Sequence, residues 1–152
     1  QGSERVLDLF CGLGNFTLAA ATRSREVVGV EVSETMVDRV LQNARHNSLD
    51  NIQAIVFDLT KSIAEQSWAK ESWDTLIVDP PRSGAKEVLE ELPLKDIKRV
   101  LYVSCNPATL ARDAKFLIER DFKMTHLGMM DMFPHTAHME SMALFVQRGA
   151  RG

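Results

Sequence analysis

The stretch Arg5-Val6-Leu7-Asp8-Leu9-Phe10, running straight into Cys11-Gly12-Leu13-Gly14, decides how the rest of this chain is read. An apolar run of strand length that ends in closely spaced glycines predicts a strand, a tight turn and then a helix, here from about Asn15 to Thr22. The turn glycines allow the backbone to come close to a ligand at the end of the strand. Gly12 and Gly14 are therefore candidate ligand-binding positions.

Outward from this unit the same alternation repeats. Glu26 to Glu31 reads as a second strand, and Ser33 stands in N-cap position before a helix with Met36, Val37, Val40, Leu41 and Ala44 on one face. Ile52 to Phe57 is a third strand, with a helix through Ile63 and Trp68 after it. Trp73 to Val78 is the fourth strand, and Asp79-Pro80-Pro81-Arg82-Ser83-Gly84 is the loop beyond it. A helix around Lys86 to Leu92 leads to a fifth strand at Arg99-Val100-Leu101-Tyr102, and Ala108 to Glu119 is again helical in period. The last quarter differs: Phe122 to Met130 and Met139 to Val146 both read as strands, joined by the polar loop Asp131 to His138. Two strands without a helix between them imply an antiparallel pair. The expected fold is α/β: a doubly wound, Rossmann-like, mostly parallel sheet of about seven strands that ends in an antiparallel hairpin.

Composition limits what such a domain can be. The chain has 152 residues, 45% of them apolar and 26% charged, which suits one soluble globular domain. No apolar run reaches membrane-spanning length and no cleavable signal is visible. Two cysteines make no disulfide framework, so a reducing cytoplasm is the expected compartment. A formal charge of −3 gives no electrostatic footprint for nucleic acid, so phosphate affinity would have to come from a local patch or from segments outside these residues.

The first half carries nucleotide-binding features. The dinucleotide fingerprint asks for a third glycine where Thr17 stands, which argues against NAD. Glu31, ending the second strand, is placed to accept hydrogen bonds from both hydroxyls of a ribose. Asp58, ending the third, is placed to reach an adenine amino group. Each alone reads equally as a solvated strand-end carboxylate. Together with the glycine turn, at the ends of three successive strands, they favour S-adenosylmethionine, which has no pyrophosphate to seat on a helix N-terminus.

The second half carries a nucleophile. Cys105 lies in Val103-Ser104-Cys105-Asn106-Pro107, where the fifth strand ends, and the carboxyl ends of strands are where open α/β sheets bind ligands. A thiol fixed there, with a carboxylate arriving from elsewhere, is equipment for covalent catalysis. The alternative is a buried structural cysteine. Cys11, inside the glycine turn, reads as a small residue filling tight space. Trp68 and Trp73 read as caps on the core, with RNA stacking as the alternative.

Four blocks in order, Asp8 to Phe16, Asp79-Pro80-Pro81-Arg82, Ser104-Cys105-Asn106-Pro107 and Asp131 to Glu140, resemble the RNA uracil-5-methyltransferases, most of all the bacterial enzymes that act on 23S ribosomal RNA. The resemblance runs from Val6 to Phe145. It implies transfer of a methyl group from S-adenosylmethionine to carbon 5 of a uridine, with Cys105 adding to carbon 6 and Glu140 removing the carbon-5 proton. It also implies cofactor contacts from Phe10, Asn15, Glu31, Asp58 and Asp79, although the family often has Asn at the place of Asp58 and Asp79 can alternatively lie against the uracil edge. Arg82 replaces the aromatic that related amino-methyltransferases stack on their base, and the fourth-strand loop lacks the cysteine of the cytosine-5 enzymes. His135 and His138 are candidates for orienting Glu140 or touching RNA, and no metal site is expected. Transfer RNA is the nearest alternative substrate, and a non-catalytic cofactor- or RNA-binding domain the alternative from another class. The resemblance further implies that residues 1–152 form a single catalytic domain, a fragment of a longer enzyme whose RNA-binding part precedes it.

Overall fold

The computed structural model describes residues 2–131 and 139–150. Its strands are β1 (Arg5–Leu9), β2 (Glu26–Glu31), β3 (Ile52–Val56), β4 (Thr75–Val78), β5 (Arg99–Ser104), β6 (Phe122–Asp131) and β7 (Met139–Gln147). The helices are α1 (Asn15–Ala21), α2 (Glu34–His46), α3 (Ser67–Lys70), α4 (Lys86–Glu91) and α5 (Pro107–Glu119), with a single 3-10 turn at Leu94–Asp96. The strands form one sheet in the order β3-β2-β1-β4-β5-β7-β6. The first five are parallel, and β7 runs antiparallel between β5 and β6. The expected doubly wound fold with its terminal hairpin is what forms.

Sequence pattern explains the layering. The central strands are apolar at nearly every position because both of their faces are covered. Leu7, Leu9, Val28, Val30, Leu76, Val78, Val100 and Tyr102 pack in one core with Trp68 of α3, Val88 and Leu89 of α4, and Phe116 and Leu117 of α5. On the opposite face Val6, Val27 and Ile77 pack with Ala21 of α1. The edge strand β3 buries less, as its mixed Ile-Gln-Ala-Ile-Val composition suggests. Ser33 caps α2 by accepting the Met36 N–H at 3.3 Å, and Arg45 and His46 occupy the last turn, where cations suit the helix dipole.

Three local expectations are corrected. The helix through Ile63 and Trp68 shrinks to the single turn α3, because the Glu91 carboxylate takes the Ile63 N–H at 2.9 Å and the Ser62 hydroxyl at 2.8 Å, holding this segment as a loop. On α2 the buried stripe is Val37, Val40 and Ala44, while Met36, in the first turn, is solvent-exposed. β4 starts at Thr75 rather than Trp73. Trp73 instead donates its indole N–H to the Trp68 carbonyl at 2.8 Å and lies under the Arg5 guanidinium, 4.4 Å from the ring centre. Both tryptophans are buried in the core, which leaves no face for an RNA base.

Candidate functional site

The carboxyl ends of β1, β2, β4 and β5 and the beginning of β7 lie at one end of the sheet. Parallel pairing aligns the first four, and the antiparallel β5–β7 ladder brings the start of β7 beside the end of β5. The connections diverge between β1 and β4, the switch point where open α/β sheets place their ligands.

A cleft of about 350 Å³ opens there, lined by Phe10, Glu31, Asp58, Asp79 and Pro80–Pro81 among others. Four of the residues singled out from the sequence thus share one wall-to-wall space of the size small-ligand sites take, roughly 300 to 1,000 Å³. Phe10 is half-buried and held at φ 58°, an uncommon conformation for a bulky residue. The glycine turn makes it possible: β1 ends, Cys11 donates its N–H to the Val30 carbonyl at 3.1 Å, and the chain then reverses into α1. Glu31 spends one oxygen on the Ser33 N–H at 2.6 Å, which fixes the carboxylate at the cleft. Asp58 accepts from the Thr60 N–H at 3.0 Å and the Thr60 hydroxyl at 2.6 Å. Those bonds hold its carboxyl below the usual range, so it stands ionised in the cleft lining.

Asp79 behaves in the opposite way. Burial, and then the charge of Glu140, push its carboxyl up to about 6. That coupling places Glu140 within electrostatic reach of the cleft. In the ladders Glu140 pairs with Met130 of β6 and directly precedes Ser141, which pairs with Ser104. Cys105 directly follows Ser104 and is exposed. The alternative of a thiol sealed in the core is thereby overturned.

Other candidates lie outside the lining. Asn15 is exposed on the first turn of α1, and Gly12 and Gly14 form the turn itself. Gly14 has φ 84°, and a Cβ added there would stand 2.8 Å from a Val40 methyl. Its missing side chain thus serves the packing of the turn on α2 as well as the turn's conformation. Cys11 fills space, as its position suggested: a Cβ on Gly29 would meet its sulfur at 2.9 Å. Burial pushes the Cys11 thiol up to about 12. His135 and His138 lie outside the described residues. Among those residues no group of three His, Cys, Asp or Glu side chains is arranged to hold a metal, and no helix is long and apolar enough to cross a membrane.

Two functional-looking residues escaped the sequence reading. Asp8 is buried in β1, its Oδ2 accepting from the Thr17 hydroxyl at 2.6 Å and its Oδ1 without a partner among the described residues. Burial raises its carboxyl to about 7. An acid inside an otherwise apolar strand was the available signal. Asn106 sits beside the candidate nucleophile. Its side chain accepts the Ala108 N–H to cap α5 and donates to the Arg82 carbonyl at 3.1 Å, joining the turn after β5 to the loop after β4.

Comparison with known proteins gives the family to which these residues belong. Residues 1–148 match the family described as tRNA (Uracil-5-)-methyltransferase. The chain is 56% identical over 146 residues to the 23S rRNA (uracil(1939)-C(5))-methyltransferase RlmD of Stenotrophomonas maltophilia, a match covering 95% of this chain and 33% of that protein. The RlmD of Alcanivorax borkumensis is 52% identical over 140 residues, covering 92% of this chain and 32% of its own. Among solved structures, the Pyrococcus abyssi tRNA (uracil-54, C5)-methyltransferase in complex with S-adenosyl-L-homocysteine superposes with a TM-score of 0.75 at 34% identity, over 95% of this chain and 34% of that one. The chain spans about a third of the length of the curated relatives it matches.

Proposed function

Because this chain belongs to the tRNA (uracil-5-)-methyltransferase family, we propose that it carries the methyl-transfer machinery of an enzyme that methylates carbon 5 of a uridine in 23S ribosomal RNA, in the cytoplasm. The observation that carries this reading is the Ser104–Ser141 pair that ends the β5–β7 ladder, with Cys105 following the one, Glu140 preceding the other, and the charge of Glu140 bearing on Asp79 in the acid-lined cleft. Ribosomal rather than transfer RNA is favoured because the ribosomal relatives are 52–56% identical, against 34% for the transfer-RNA enzyme of known structure.

The cleft fits S-adenosylmethionine in its donor set. Glu31 offers a carboxylate oxygen for a ribose, ionised Asp58 an acceptor for an exocyclic amine, and Phe10 with Pro80–Pro81 the apolar walls. Asp79 faces the same space, and by the family resemblance Asn15 and the Gly12–Gly14 turn complete the contacts. When bound, this cofactor supplies an electrophilic methyl group.

The work of the chain's own residues then follows from uracil chemistry. Carbon 5 of uracil is a weak nucleophile. The Cys105 thiolate adds to carbon 6, the electron pair moves into the ring as an enolate, and carbon 5 becomes electron-rich. A thiolate serves because it is both a good nucleophile and a good leaving group. After carbon 5 has been methylated, Glu140 takes the remaining proton from it. The electron pair of that C–H bond re-forms the ring double bond and expels the Cys105 sulfur. A positioned base of this kind contributes roughly 10²–10⁴-fold.

The test is RNA bearing 5-fluorouridine, incubated with the protein and S-adenosylmethionine. Fluorine cannot leave as a proton, so the sulfur–carbon bond should survive denaturing electrophoresis, and Cys105→Ala should abolish that band. Absence of the band with the unaltered protein, or its persistence in Cys105→Ala, overturns the reading.

A further inference from the structure

Beneath the Cys105 turn lies a polar cluster that the proposed chemistry does not use. Asp113 of α5 is fully buried, at 0% exposure. Its Oδ2 accepts from the Ala85 N–H at 2.8 Å and from the hydroxyl of Tyr102, three residues before Cys105 on β5. Its Oδ1 accepts from the Arg112 Nε at 3.0 Å. The Arg112 guanidinium continues to the Ser83 carbonyl at 2.8 Å. With Asn106 on the Arg82 carbonyl, residues 82, 83 and 85 of the loop after β4 are each tied to α5 or its cap. Gly84 completes the fit: its φ is 83°, and a Cβ there would stand 2.5 Å from an Arg112 nitrogen and 2.7 Å from an Asp113 oxygen.

Stability alone gives poor grounds for such a cluster. Withdrawing a carboxylate from water is costly, and a buried ion pair is often no better for stability than apolar residues of the same volume. Position 113 is flanked by buried Ala114, Phe116 and Leu117, so an apolar side chain would extend the core there, at the cost of leaving the Ala85 N–H and the Tyr102 hydroxyl without this acceptor. What the carboxylate supplies instead is direction. It binds β5, α5 and the β4 loop at one point, through Tyr102 three residues before Cys105 and through the loop that follows Asp79.

We propose that Asp113, with Arg112 and Tyr102, is a positioning residue that fixes the loop after Asp79 against the Cys105 turn and so sets the placement of the nucleophile relative to the cleft. This rests on the methyl-transfer reading above. Orientation of reacting groups is steep in its effect: a displacement of about 1 Å costs on the order of 100-fold in rate.

The experiment compares Asp113→Asn, Tyr102→Phe and Arg112→Ala with the unaltered protein, well below the lowest melting midpoint among them. Arg112 is 43% exposed, so its removal spares the core and serves if Asp113→Asn does not fold. Three quantities are read: the rate of adduct formation on 5-fluorouridine RNA at saturating RNA, the affinity for S-adenosylhomocysteine, and the RNA concentration giving half-maximal rate. The expected result is a fall of about 100-fold in adduct rate for Asp113→Asn and Arg112→Ala and a smaller fall for Tyr102→Phe. Cofactor affinity and half-saturation should be unchanged. Variants that melt lower yet form adduct at the normal rate would overturn the inference. So would an equal loss of cofactor affinity, which would mean that the whole sheet end is disturbed. If the unaltered protein forms no adduct, it is the methyl-transfer reading that fails, and the inference falls with it.

Discussion

Cys105 and Glu140 stand one step beyond the same pair: Ser104 on β5 faces Ser141 on β7, the thiol follows the one, and the carboxylate precedes the other. Thirty-five positions separate them in sequence, and a single antiparallel register closes the distance. Because β7 runs against β5, its beginning meets the other strand's end, so the proposed base and the proposed nucleophile, from remote segments, come to one rim of the sheet.

Glu140→Gln tests the division of labour between these two. Without the base, adduct should form on ordinary uridine and persist, with its breakdown slowed roughly 10²–10⁴-fold. The same change removes a negative charge near Asp79, whose carboxyl now stands at about 6, and should lower that value in a carbon-detected NMR titration. Rapid turnover in Glu140→Gln, or an unmoved Asp79, would contradict the arrangement.

Glu31→Gln tests the cofactor side. A hydrogen bond to a charged group is worth about 1.5–3 kcal/mol, so affinity for S-adenosylhomocysteine should weaken about 10- to 100-fold. At saturating cofactor, adduct formation on 5-fluorouridine RNA should remain. Calorimetry showing undiminished affinity would remove Glu31 from the cleft's function.

Asp8 makes stability depend on pH with a defined sign. Its folded value of about 7 lies above the ordinary 3.8, because burial disfavours the charged form. The folded state therefore holds a proton that the unfolded chain releases. The stabilisation is complete below about 4 and is lost as pH rises through about 7. Three pH units correspond to an upper bound of roughly 4 kcal/mol. Asp8→Asn, which can still accept from Thr17, should be less sensitive to pH over this window and more stable than the unaltered protein at pH 8. Parallel melting curves at pH 5 and pH 8 for the two proteins would refute this.

The two thiols should differ sharply in alkylation. Cys105 is exposed, whereas Cys11 is buried with its thiol raised to about 12. Iodoacetamide at pH 8 should modify one site in the folded protein and two after unfolding. Mass spectrometry finding two modified sites in the native state would contradict the packing of Cys11 against Gly29.

What the sequence made legible follows from local physics. The strands β1, β2 and β5 are largely apolar runs, β1 closed by the glycine turn and β5 by Asn106-Pro107, a pattern that suits strands covered on both faces. Ser33 announced α2 because a hydroxyl before a helical period has one strong use. Glu31, Asp58, Asp79 and Cys105 were visible because each is a reactive side chain where a strand stops. The parts that were not legible depend on contacts across long separations. Glu91 dissolving the helix near Ile63 acts over 28 residues. Trp73 leaves β4 for a bond to Trp68 that its strand-like neighbours conceal. Asp113 sat inside an ordinary helical period, and its burial emerges only when β5 and the β4 loop close over it.

The placement of β7 between β5 and β6 has a consequence for how the protein comes into being. During synthesis the cysteine emerges well before the glutamate, and β5 keeps an open edge until the later strand inserts. A nascent chain can thus form the cleft between β1 and β4 early, yet Cys105 stands without Glu140 across from it until β7 has been made. On the proposed chemistry, breakdown of the adduct would wait for that last strand.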